Sequence, residues 1–62
     1  MLSTILNILK TEKEPLYMGE IVNLAQDHGY GRKRVETAII LLCMDNQIIR
    51  QTSFKQDRFY KR

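Results

Sequence analysis

The chain has 62 residues, a formal net charge of +3, 44% apolar and 27% charged residues, one cysteine, one proline and one histidine. A chain this short buries only about 60% of its unfolded surface, which fits one small soluble domain and excludes a second domain or a large catalytic pocket. The lone Cys43 excludes an intrachain disulfide, no apolar run approaches the roughly 18 residues of a membrane span, and Met1-Leu2-Ser3-Thr4 lacks the basic region of a signal peptide, so an intracellular location, cytoplasmic or nuclear, is expected.

In residues 2–10, Leu2, Ile5, Leu6 and Leu9 recur at helical spacing and form one apolar stripe, with Ser3, Thr4 and Asn7 opposite. The helix must end before Pro15, which disfavours the helical conformation in Glu14. Leu16 and Tyr17 read as a short extended stretch. Residues 18–28 read as a second helix with Ile21, Val22 and Ala25 on one face and Met18 near its start. Glu20 suits the positive end of that helix, and Gly29 is a natural left-handed stop.

A third helix is expected over residues 32–45. Val35, Ala38, Ile39 and Leu42 fall at i, i+3, i+4 and i+7 and face inward, and Asn46 suits a left-handed C-terminal cap. Residues 48–52 and 58–61 are β-prone, and the polar residues Lys55, Gln56 and Asp57 between them predict a hairpin. Of Phe59 and Tyr60, which alternate in facing, one is expected to pack on the third helix. Phe54 is either a core residue at the base of the hairpin or an exposed tip.

Charge is polarised along the chain. Residues 1–30 are acidic, carrying Lys10 and Lys13 against Glu12, Glu14, Glu20 and Asp27; residues 48–62 carry Arg50, Lys55, Arg58, Lys61 and Arg62 against Asp57 alone. A basic end of this kind suits a polyanion, nucleic acid first, or simply keeps a small protein soluble.

The order helix, short strand, helix, tight turn, helix, hairpin resembles a winged helix-turn-helix domain over nearly the whole chain. Four segments carry the likeness. Leu16-Tyr17-Met18-Gly19-Glu20-Ile21 resembles the entry into the family's second helix, and residues 25–30 its end and glycine turn. Val35, Ala38, Ile39 and Leu42 resemble the inner face of the recognition helix. Leu42, Asn46, Ile48 and Arg50 resemble the exit into the wing, with Asn46 where the family usually has glycine. The Pro15-Leu16 entry and the Gly29 turn also resemble a subgroup, the HARE-type helix-turn-helix. Two features depart from the family pattern: Gly31 stands where it often has serine or threonine, and the wing tip has no glycine. The resemblance implies an α+β fold, with the third helix in the major groove of double-stranded DNA and the hairpin on an adjacent groove or backbone.

The residues admit that role. A major groove about 12 Å wide accepts one helix whose N-terminal residues reach base edges. With Val35 facing the core, Lys33 and Thr37 point outward and Arg34 flanks them, while Arg32 lies nearer the core edge, within reach of a phosphate. Three cations at a helix N-terminus oppose the dipole by roughly 0.3–1 kcal/mol each where exposed, a conflict an anionic partner would remove; the competing view is a solvated basic turn. Arg50, Lys55, Arg58 and Lys61 are the candidate phosphate contacts of the wing, or charges that keep edge strands from pairing with other sheets. Ile40 and Met44 continue the outward line of Lys33 and Thr37, with Leu41 beside it. They read as a homodimer or partner interface, unless the hairpin and first helix cover them.

Cys43 and His28 stand alone, so no metal set, no cofactor site and no phosphate-binding glycine loop is present in the sequence. Glu12, Glu14 and Glu20 lack a pocket or base partner. An enzyme is not expected, nor a small-molecule ligand or a membrane partner. The expected function is double-stranded DNA binding in transcription regulation, as a homodimer reading paired half-sites. The rival is a winged-helix protein-interaction module using Ile40, Leu41 and Met44, and a weaker third is RNA binding through the basic hairpin.

Overall fold

Leu2–Thr11 winds into α1, whose last turn is closed by the Glu12 amide donating to the Ile8 carbonyl at 3.2 Å and the Thr11 hydroxyl donating to the Asn7 carbonyl at 2.8 Å. The computed structural model describes residues 2–52 and 55–62. Ahead of Pro15 the chain is irregular, and it then extends into the two-residue strand β1, Leu16–Tyr17. The helix α2, Met18–Gln26, starts directly from it. The Tyr17 amide donates to Glu20 Oε1 at 2.9 Å, so Glu20 satisfies a backbone donor as well as the dipole.

Two turns of the same construction bound α3, Arg32–Met44. At the first, Gly29 sits at φ 84°, its amide donates to the Gln26 carbonyl at 2.9 Å, and the Tyr30 amide reaches the Ala25 carbonyl at 3.2 Å. At the second, Asn46 sits at φ 60°, its amide donates to the Cys43 carbonyl at 3.1 Å, and the Gln47 amide reaches the Leu42 carbonyl at 3.0 Å. Both are Schellman caps, in which a left-handed residue turns the chain back and occupies the open carbonyls. Asn46 fills the glycine position because its short polar side chain tolerates the left-handed region better than most.

The strands β2, Ile48–Gln51, and β3, Arg58–Lys61, then form the wing. The sheet is antiparallel with order β1-β3-β2, Leu16 and Arg50 both lying opposite Phe59 and Ile49 opposite Tyr60. Phe59 is the inward residue of the Phe59-Tyr60 pair, and Tyr60 is exposed. Phe54 lies outside the described residues.

The fold is therefore α+β, in the order α1-β1-α2-α3-β2-β3. Every element places a side chain in one core: Ile5 and Leu9, Leu16, Ile21, Val22 and Ala25, Val35, Ala38, Ile39 and Leu42, Ile48, and Phe59. Among the described residues, no polar or charged residue is buried. The inner stripe of α3 is the one expected from spacing. In α1 the stripe is rotated: Ile8 packs against the core beside Leu6, and Leu2 stays 41% exposed. Leu2 opens the helix, where no preceding turn covers it. The helix α2 stops two residues short of expectation, because Asp27 and His28 belong to the Gly29 turn.

Leu42 is 1% exposed at the centre of this core. Leu42→Ala should cost about 2–5 kcal/mol, much of the roughly 3–9 kcal/mol available to a domain of this size. By contrast Asn46→Gly should be neutral or mildly stabilising, whereas Asn46→Ala should cost roughly 1 kcal/mol by forcing a Cβ without compensating polarity into the left-handed region. Urea unfolding followed by circular dichroism checks the three together.

Candidate nucleic-acid interface

The inner stripe of α3 fixes which residues face solvent. Arg32, Lys33, Arg34 and Thr37 are all exposed on the N-terminal half. Gly31 precedes them in extended conformation, so its missing side chain leaves the first amides of α3 without a side-chain cap. Arg32 is drawn back along the helix to Glu36, Nε to Oε2 at 3.4 Å, an exposed i,i+4 pair. The Arg34 guanidinium lies over the Tyr30 ring at 5.9 Å from its centroid. Lys33 and Arg34 share a shallow groove of about 380 Å³ with Thr37, Leu2, Ala38 and Leu41. Lys33, Arg34 and Thr37 are therefore brought together as expected.

The wing cations are not brought to one place. Arg50 pairs with Asp57 across the hairpin and borders the C-terminal half of α3. Arg58 lies over the Tyr17 ring at 5.1 Å, half-buried beside β1. Lys61 pairs in register with Ile48 at the base of the wing and lines a depression with Leu9, Lys10 and Tyr60. Lys55, next to the tip, is exposed. The Arg50–Asp57 pair and the Arg58–Tyr17 stack were missed from sequence. Both depend on hairpin register, which a tip without glycine leaves unspecified.

Beyond Thr37 the outer face of α3 turns apolar. Ile40 is 58%, Leu41 49% and Met44 75% exposed, so the described residues of the hairpin and α1 leave them largely open. Leu41 belongs to the groove on the α1 side. Ile40 and Met44 border a second groove of about 520 Å³, with Met18, Cys43 and Phe59 in its wall and Arg50 and Glu36 on its margin.

The fold is that of a winged helix-turn-helix. A solved structure that gave insight into the DNA recognition and protein interaction domains of HOP2, and into its homologous DNA pairing properties, is similar to this chain with a TM-score of 0.86. The likeness covers 98% of this chain and 97% of that one, at 26% sequence identity. No family model matches the chain. No curated protein matches it. Among the described residues, no helix is long and apolar enough to cross a membrane.

Cys43 sits in the wall of the second groove. Burial pushes its thiol above the ordinary value, and the nearby charge of Arg50 only partly offsets this. At neutral pH the side chain is therefore the neutral thiol, a poor nucleophile. A disulfide reagent at pH 7.5 should modify the folded protein several-fold more slowly than the guanidinium-unfolded chain. Equal rates in the two states would show that the groove does not shield it.

Proposed function

We propose that this chain binds double-stranded DNA, with the N-terminal half of α3 in the major groove and the wing on the phosphate backbone. One observation carries the reading: Arg32, Lys33 and Arg34 stand adjacent and exposed at the positive end of the outward helix of a winged-helix fold, without an acid in its first turn. That arrangement weakens the free helix and suits a polyanion. The resemblance of the fold to a structure from the DNA recognition and protein interaction domains of HOP2 supports it.

Within this reading, Arg34 and Lys33 offer donors to guanine edges and Thr37 a less selective contact. Lys55 reaches backbone phosphate directly. Arg32 and Arg50 exchange Glu36 and Asp57 for phosphate, at the expense of their ion pairs. Arg58 and Lys61 lie apart from α3 and contribute only to a duplex that wraps the hairpin. The use proposed is regulation of transcription inside the cell, by a member of the HARE-type subgroup. A second reading, contact with protein, is favoured by the exposure of Ile40, Leu41 and Met44, and a homodimer is its simplest form.

Fluorescence anisotropy with a random 30-base-pair duplex and its single strand, titrated across salt, tests the DNA reading. Micromolar duplex binding is expected, with a log–log salt slope of about −2.7 to −4.5 for about three to five neutralised phosphates. Lys33→Glu combined with Arg34→Glu should remove most of the affinity and leave the circular dichroism spectrum unchanged. Unchanged affinity in that variant would refute the assignment of α3. No duplex binding at low salt would refute the function.

A further inference from the structure

We propose that α3 pairs antiparallel with the α3 of a second copy of this chain, and that this pairing and DNA exclude one another. The exclusion rests on the DNA reading above; the pairing does not.

Shape is the first ground. The outward ridge of α3 runs through Thr37, Ile40 and Met44, with an open groove on each side, one floored by Ala38 and Leu41 and the other walled by Cys43 and Met18. A ridge between two grooves is self-complementary: about a two-fold axis, each copy's ridge enters the other's groove.

Charge is the second, and it sets the direction. The helix α3 is inverted against its own dipole, with cations at the N-terminus, no base in the last turn, and Asp45 as its C-terminal cap residue. Asp45 accepts a hydrogen bond from the Gln47 side chain, but among the described residues neither Asp45 nor Lys33 has an ion-pair partner. An antiparallel second copy corrects both ends at once. It sets Lys33 and Arg34 near the partner's Asp45 and the negative end of the partner helix, with Ile40 near the crossing. A parallel pair would set cations on cations. DNA corrects only the first end and leaves Asp45 among phosphates and Met44 in water.

Area sets the strength. A standard interface takes about 800 Å² from each partner, roughly a sixth of the 4551 Å² this chain exposes. One face of one 13-residue helix supplies less, so the dimer is expected to be weak, with a micromolar dissociation constant. Two helices packed 8–10 Å apart do not enter a groove that accepts one, so the paired form is closed to the major groove. This dimer does not read paired half-sites; it masks the reading helix, and dilution or DNA opens it.

Sedimentation equilibrium without DNA, at low salt, tests the pairing. The wild type should dimerise at micromolar concentration. The neutral double variant Ile40→Gln with Met44→Gln should be monomeric with an unchanged circular dichroism spectrum, since both side chains are exposed. Lys33→Asp and Asp45→Lys should each weaken the dimer several-fold, and together restore it. A wild type that stays monomeric to hundreds of micromolar, a dimer indifferent to the Gln variant, or a charge exchange that does not restore association would each overturn the pairing. Duplex titrations then test the exclusion. The wild-type isotherm should become shallower than that of the Gln variant above the dimer dissociation constant. A dimer that binds duplex intact would overturn the exclusion. If neither protein binds duplex while the wild type dimerises, the DNA reading and the exclusion fall and the pairing stands.

Discussion

The contact that the rest of this domain depends on is the inner stripe of α3, where Val35, Ala38, Ile39 and Leu42 are almost completely removed from water. The helices α1 and α2 and the strand β2 all pack against α3. The core contains no buried polar group among the described residues, so nothing but apolar volume sets the rotation of the helix. With four positions of a 13-residue helix committed inward, the outward line of Lys33, Thr37, Ile40 and Met44 follows from geometry alone. The two Schellman caps reinforce this. They fix where α2 stops and where α3 hands over to the wing, so the hairpin meets the helix with Ile48 already in the core.

That dependence explains what was legible in the sequence. A strict i, i+3, i+4, i+7 pattern has one solution when a single core must bury it, and the stripe of α3 was readable for that reason. Gly29 and Asn46 were readable because few residues tolerate the left-handed backbone that ends a helix, and these two stand where the periodicity runs out. Pro15 marked the end of the α1 loop by restricting its neighbour. The stripe of α1 was less legible because Leu2, Ile5, Leu6, Ile8 and Leu9 offer more apolar positions than the core can take. The choice among them is made by neighbours distant in sequence.

The candidate site divides the same way. The outward direction of Lys33, Arg34, Thr37, Ile40, Leu41 and Met44 follows from the inner stripe and was available from the helical period; that Ile40, Leu41 and Met44 stay uncovered was not, because it depends on where the hairpin and α1 lie. The fates of Arg50 and Arg58 were not. Whether a wing cation is free, paired to Asp57 or laid over Tyr17 depends on cross-strand register, and a two-residue β1 with a four-residue partner carries too little pattern to fix register locally. A basic composition over residues 48–62 thus overstates the charge that the wing can present on one face.

The consequence is a division of electrostatic roles along one helix. At the N-terminus of α3 the cations act against the dipole, a small loss of stability that an anionic partner would recover. At the C-terminus Asp45 does the same with opposite sign, and the span between is apolar. A helix tuned only for stability would exchange the two ends, with acids first and bases last. A helix tuned only for DNA would carry hydrogen-bonding side chains on past Thr37, where this one has Ile40, Leu41 and Met44. On the proposed DNA reading, base contact would be left to Lys33, Arg34 and Thr37, a span of little more than one turn, and shape and phosphate contact would supply much of the binding free energy. On the proposed pairing, the apolar remainder of the outer face would meet a second copy of itself, and the charge at each end favours the antiparallel sense.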